Sequence, residues 1–208
     1  DFGKFGTQAT HSKLLDWLAH EFVSNQWRIK SLHKTIMMSN TYQMSAQANE
    51  EALVVDPLNN LFWRFDMRRL TAEEIRDSIL SASGNLNRKL GGPSVFPELP
   101  EEVLATSSQP TRVWGKSPPE EANRRSVYVK VKRSLLVPIL NQFDMANTDS
   151  TCAVRFMTMV PTQSLTMLNG KFINQQAIVF AERIRQQGGS DLSDQIRFGL
   201  CLVLSRQP

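Results

Sequence analysis

Five basic side chains fall within ten residues: Arg124, Arg125, Lys130, Lys132 and Arg133, in RRSVYVKVKR, with no acid among them. A run of this kind neutralises phosphate or sulfate groups on a partner. Tyr128 sits inside it, and an aromatic ring beside a basic groove stacks on bases or sugars. No helix-turn-helix, RNP or zinc-finger signature accompanies the run. It is readable in three ways: a solvated or acid-paired strand of the scaffold, a nucleic-acid surface, or a site for another anion such as an acidic or sulfated glycan. The nucleic-acid reading requires all five cations exposed on one face.

A second constellation lies upstream, where Arg68, Arg69, Glu74, Arg76 and Asp77 crowd together. Carboxylates among guanidiniums can move protons, with Glu74 or Asp77 as the acid or base. That chemistry needs a concave pocket, here lined by Arg69, Asp77, Arg125, Tyr128 and Arg155. Helix geometry gives a plainer account of part of the cluster. Glu73 and Arg76 stand three apart on one helix surface, and Glu74 completes a capping box, which leaves Asp77 the better candidate. Other chemistries lack their patterns. His11, His20 and His33 are scattered, with no H-E-x-x-H pairing. No G-x-S-x-G elbow is present. Gly91-Gly92-Pro93 is a turn, since no G-K-[ST] follows. Cys152 and Cys201 stand alone, outside any zinc or haem spacing, and read as free core thiols. The sequence therefore holds no metal or cofactor site of its own.

The elements that must position these residues are mostly helices. Leu14, Leu15, Leu18 and Phe22 follow helical spacing, and Ile29, Leu32, His33, Ile36 and Met37 form a second stripe. Asp56 before Pro57 reads as a helix start. The strongest local signal is TAEEIRDSILSASG. Thr71 and Glu74 make the capping box, Leu70 and Ile75 fit a hydrophobic staple, and Gly84 suits a left-handed C-terminal position. This predicts a helix over 72–83. Val127, Val129 and Val131 alternate with polar residues, which predicts a short strand over 126–131. Leu135, Leu136, Ile139, Leu140 and Phe143 then switch to helical spacing, with Pro138 near the helix start. Leu165 and Leu168 precede an Asn169-Gly170 turn. Ile173, Ala177, Phe180 and Ile184 predict a long helix ending at Gly188. Ser190 or Asp191 can cap a last helix bearing Leu192, Ile196, Leu200 and Val203. Trp17, Trp27, Phe62 and Trp63 lie in helical patterns and read as core. Trp114 is different, because it sits in a segment that carries six of the chain's ten prolines. It anchors that segment or stacks on a sugar ring.

These elements give a mainly α, irregular multi-helix domain with one or two short strands. The reading is a single domain over 1–208, with lobes at about 1–90 and 124–208. A net-acidic Pro-rich connection over 91–123 joins them, placed to fold back over the basic run. With 208 residues, 41% hydrophobic and 21% charged, the chain can bury a core. A net charge of +4 permits anionic partners without demanding them. No apolar run is long enough to span a membrane. The polar opening DFGKFGTQATH has no signal-peptide pattern and no initiator Met, which reads as a piece of a longer polypeptide.

Five ordered stretches together resemble a known family: HSKLLDWLAHEF, SLHKTIMMSNTY, DPLNNLFWRFDMRRLTAEEIRDSIL, RRSVYVKVKRSLLVPILNQFD and VPTQSLTMLN. They are similar to the planctomycete PSD-one domain family, domain of unknown function 1553, over nearly the whole chain. Lys130, Phe156 and the Cys201-Leu-Val-Leu stretch depart from its usual pattern. The resemblance implies the C-terminal part of a large exported protein, periplasmic or extracellular, whose upstream region carries a c-type cytochrome-like domain. Any haem would lie there, and other domains of the same polypeptide would be the partners. It implies no catalytic residue. The expected role is a scaffold or interaction domain. The alternatives are an enzyme or binding domain for an extracellular polysaccharide, or nucleic-acid binding.

Overall fold

The structure is a computed structural model that describes residues 6, 8–107, 114–149, 151–152 and 154–207. Residues 108–113 of the Pro-rich segment lie outside that set. The chain is mainly α-helical, as its periodicities require, and divides into two units, Asp1–Arg68 and Arg69–Pro208.

The first unit contains α1 (Ser12–Ser24), α2 (Ile29–Met37) and α3 (Glu50–Val55). α1 stops at Asn25, whose side-chain amide donates to the Glu21 carbonyl at 2.9 Å and to its carboxylate at 2.7 Å. Asn49 caps α3 by accepting from the Ala52 N–H at 3.0 Å. Asp56 does not begin a helix, as its pairing with Pro57 suggested; it ends α3. Its carboxylate instead accepts the N–H groups of Asn60 and Leu61 at 3.0 and 2.7 Å, and its carbonyl accepts from Trp63 Nε1 at 2.9 Å. Those bonds fold 56–63 into a loop, with Asn59 left-handed at φ 55°. Local hydrogen bonding by a short acidic side chain has outcompeted helix initiation here.

No residue of α1, α2 or α3 is buried. The buried side chains of this unit among the described residues are Asp56 and Asn59, both polar. Trp17 is 51% and Trp27 66% exposed, and Phe62 is exposed as well. The expectation that these rings form a core is corrected: the helical stripes exist, but Leu18, Phe22, Leu32 and Trp63 reach only half-burial within the unit. His20 and His33 are likewise exposed, while His11 stacks on Phe62 at 4.7 Å.

The second unit has a core of its own. α4 (Ala72–Ser83) matches its predicted span. The Thr71 hydroxyl accepts from the Glu74 N–H at 3.4 Å, and the Glu74 carboxylate accepts from the Thr71 N–H at 2.8 Å. Gly84 ends the helix at φ 89°, a conformation an L side chain resists. Around α4 follow α5 (Glu101–Leu104), α6 (Pro119–Ala122), a 3-10 turn (Ser126–Tyr128), α7 (Pro138–Gln142), α8 (Pro161–Asn169), α9 (Lys171–Gln187) and α10 (Leu192–Leu204). Asp191 caps α10 by accepting from the Ser193 N–H at 3.0 Å. Ala72, Val95, Leu99, Trp114, Val129, Leu135, Ile139 and Phe143 pack into one cluster. Three of these come from the Pro-rich segment, which is therefore part of the fold and not a loose connection.

The strand expected over 126–131 is replaced by the 3-10 turn and a single parallel bridge, Val95 to Val129. The period-two pattern fails because Val127 and Val131 are exposed while Val129 is buried. The Val95 N–H donates to the Tyr128 carbonyl and the Lys130 N–H to the Val95 carbonyl, both at 2.8 Å. Prolines on either side leave no length of backbone free to extend that ladder.

Leu80→Ala removes a fully buried side chain and should cost the second unit roughly 2–5 kcal/mol, whereas Thr71→Ala should cost about 1 kcal/mol. Denaturant melts of the intact chain, followed by a probe in this unit, test both. Equal effects would mean that the core is not organised around α4.

Candidate functional site

α4 carries the charged cluster, and its helical turn sends the members in different directions. Arg76 points inward and is 2% exposed. Its guanidinium donates to the Arg124 carbonyl at 3.0 Å, the Ser126 hydroxyl at 3.2 Å and the Ala122 carbonyl at 2.7 Å. Burial pulls its pKa down to about 10, against the attraction of Asp77, so it stays charged at neutral pH. Asp77, one residue on, accepts the N–H and the hydroxyl of Ser126, each at 2.7 Å. Arg125 approaches its other oxygen at 3.9 Å. Arg76 and Asp77 thus hold the 3-10 turn from two sides.

Arg124 is fully buried. It donates to the carbonyls of Pro93, Lys89 and Gly91, lies over the Tyr128 ring at 3.9 Å and is 3.6 Å from Glu121. Tyr128 accepts from the Gly91 N–H at 2.8 Å. Hence the Pro-rich segment does fold back on the basic run, but mostly through backbone groups. Its acids are used more widely: Glu98 pairs with Lys171 and Glu121 with Lys89, both at 2.7 Å. The Lys89 hydrogen bond holds the Glu121 carboxyl below its ordinary value, and the Glu98 hydrogen bond raises the Lys171 ammonium above its own. Arg125, Lys130 and Arg133 are exposed, with Arg133 3.4 Å from Asp149. With Arg124 inside the fold, the five cations do not form one exposed face.

The outer side of α4 borders an open groove of about 400 Å³, lined by Leu70, Glu73, Glu74, Asp77, Ser78, Ser81, Leu86, Arg125 and Val127. Arg155 reaches Glu73 at 2.5 Å. Of the residues expected to line one pocket, the structure gathers Asp77 and Arg125 in the groove and ties Arg155 to one of its carboxylates. Tyr128 is not among the lining residues and is engaged with Arg124. Trp114 is buried, donates to the Pro97 carbonyl at 2.9 Å and meets Phe96 edge to face at 5.4 Å. It anchors the Pro-rich segment and is not placed to stack on a sugar. Cys152 is exposed and Cys201 half-buried, so the expectation of two core thiols is corrected; both are free. No group of three metal-ligating side chains occurs among the described residues. No helix there is long and apolar enough to cross a membrane.

Arg69 serves a different cluster. It meets Asp144 at 2.6 Å and Gln163 at 3.1 Å, and donates to the carbonyls of Phe143 and Thr158. Asp144 also accepts the Thr158 N–H at 2.8 Å and its hydroxyl at 2.9 Å. Burial alone would raise the Asp144 carboxyl, but the bonds from Thr158 and Arg69 hold it below its ordinary value. No local spacing marks the contacts of Asp144 and Gln163 with Arg69, which lies 75 and 94 positions away.

A mainly helical unit with buried arginines and an open groove beside α4 is what this geometry defines. The chain belongs to the family described as protein of unknown function DUF1553, whose model matches residues 1–208. No curated protein and no solved structure matches it.

Arg76→Met should destabilise the second unit by about 3 kcal/mol, since two backbone carbonyls and a hydroxyl lose a buried charged donor. Chemical denaturation measures this, and a loss below about 0.5 kcal/mol would show the guanidinium to be replaceable. Asp144 adds a pH dependence. A carboxylate with a depressed native value stabilises the fold above its unfolded value, and that contribution disappears as pH falls through the native one. Melting in acid should therefore show stability falling below the ordinary aspartate value in the wild type and less steeply in Asp144→Asn. Parallel curves would contradict the assignment.

Proposed function

We propose that this chain is a scaffold domain that acts by docking against other domains of a larger polypeptide, without catalysis of its own. The single observation that carries this reading is the first unit, which pairs three helices with no buried apolar residue. Its exposed side chains include Leu15, Trp17, Trp27, Ile29 and Met37. Large apolar side chains left exposed in this number mark a protein-contacting face. The family resemblance suggests what does the covering, namely the upstream part of an exported protein of the planctomycete, cytochrome-linked type, where any haem would sit.

A second reading keeps the α4 groove as a binding site. Its volume falls within the range of small-ligand pockets. Three carboxylates against one arginine make it a poor match for an acidic or sulfated glycan and a better one for a neutral sugar.

Adding the chain in trans to the rest of its gene product distinguishes the two readings. Trp17→Glu combined with Ile29→Glu should weaken association at least tenfold, about 1.4 kcal/mol, while Arg125→Ala leaves it unchanged. If Arg125→Ala is the damaging change, or if a neutral oligosaccharide binds and Arg125→Ala abolishes it, the groove carries the function and the docking reading falls.

A further inference from the structure

The first unit exposes unbalanced charge beside its apolar side chains. No acidic residue occurs between Glu21 and Glu50, a span that holds Arg28, Lys30 and Lys34. All three belong to α2 or its N-cap. The helix begins with no side-chain cap and no acid in its first turn. Arg28 and Lys30 stand there instead, at the end where the helix dipole disfavours positive charge. Lys30 and Lys34 are four apart, a spacing at which like charges repel. Among the described residues no acid pairs with Arg28, Lys30 or Lys34. α2 turns Ser31, Leu32 and Thr35 to half-burial and leaves Ile29, Ile36 and Met37 exposed at 37–59%. Helical steps of three and four set Lys30, Lys34 and Met37 in one row, beside the row of Ile29, His33 and Ile36. Both lysines are exposed on that outward side.

Resting on the docking reading above, we propose that the surface that receives α2 is acidic. It belongs to another domain of the same polypeptide, with an apolar recess for Ile29, Ile36 and Met37 and Asp or Glu side chains opposite Lys30 and Lys34. The reason is desolvation. Covering the apolar row brings both ammonium groups against the partner, and a charge that loses water without gaining a counterpart is costly. Carboxylates opposite them remove that cost. They also offset the repulsion between the lysines and the mismatch with the helix dipole, neither of which the chain relieves by itself. Complementary charge further rejects wrong partners and speeds encounter. The mode is an amphipathic helix laid in a groove. An anionic bilayer offers the same sign of charge, but binding to it scales with the apolar area inserted. With Leu32 turned inward, α2 presents only a short strip.

Carbodiimide coupling of the chain with the rest of its gene product tests this directly, because it joins an amine to a carboxylate in contact with it. Peptide mass spectrometry should find amide links from Lys30 or Lys34 to Asp or Glu of the other part. Association should weaken at least ~10-fold in Lys30→Glu combined with Lys34→Glu, and the difference from wild type should shrink as salt is raised. Circular dichroism should show unchanged helix content, since both positions are exposed, and Lys30→Gln with Lys34→Gln serves as a milder second variant. The two ideas fail separately. If Trp17→Glu with Ile29→Glu disrupts association while the lysine variants leave it intact and no such link forms, docking stands and the acidic partner is overturned. If there is no association, or the Trp17 and Ile29 changes leave it intact, the docking reading falls and this inference with it. If the lysine reversal spares association and instead abolishes binding to phosphatidylserine vesicles, the lysines serve a membrane and the proposal is overturned.

Discussion

The buried guanidinium of Arg76 is the interaction on which the second unit depends. The segment from 89 to 129 is rich in proline and forms almost no ladder, yet it contributes Val95, Leu99, Trp114 and Val129 to the core. Backbone that enters a core must have its polar groups satisfied. Two arginines meet that requirement. Arg76 gathers the carbonyls of Ala122 and Arg124 from α4, and Arg124 in turn gathers those of Lys89, Gly91 and Pro93. The guanidinium fork suits this task because it offers several fixed donors and is desolvated more readily than an ammonium. The desolvation shows in the lowered pKa of Arg76.

This constraint decides what the charged residues are available for. A cluster that resembles an active site in one dimension is largely committed to the fold in three. Glu74 closes the cap of α4, Asp77 holds Ser126, Glu73 holds Arg155, and Arg69 ties α4 to the loops around Asp144. The groove beside α4 remains as an open surface that Leu70, Leu86 and Val127 share with the carboxylates. The large unsatisfied element is apolar: the outward faces of the helices of the first unit. Function read from unsatisfied physics points to those faces.

Helices were legible wherever their signals were local. α4 could be placed from its capping box and Gly84, α10 from Asp191, and α9 from the glycines that flank it. The misreadings have physical causes. Asp56-Pro57 looked like a helix start, but the aspartate spends its carboxylate on a loop. The alternating valines at 127, 129 and 131 looked like a strand, but only Val129 finds a partner backbone. Tryptophans at helical spacing were taken for core, and the inward side of a stripe is defined by what covers it, which local spacing does not encode. Trp114 was legible as an anchor. The Arg69–Asp144 cluster was not, since it joins residues some 75 positions apart without any motif.

The most direct test of the account is hydrogen exchange across 12–55, measured in this chain alone and in the full gene product. Docking through the first unit predicts fast exchange in the isolated chain, slow exchange across α4 and α9, and strong protection of α1 and α2 in the full product. Slow exchange of α1 and α2 already in the isolated chain, or unchanged fast exchange in the full product, would contradict it.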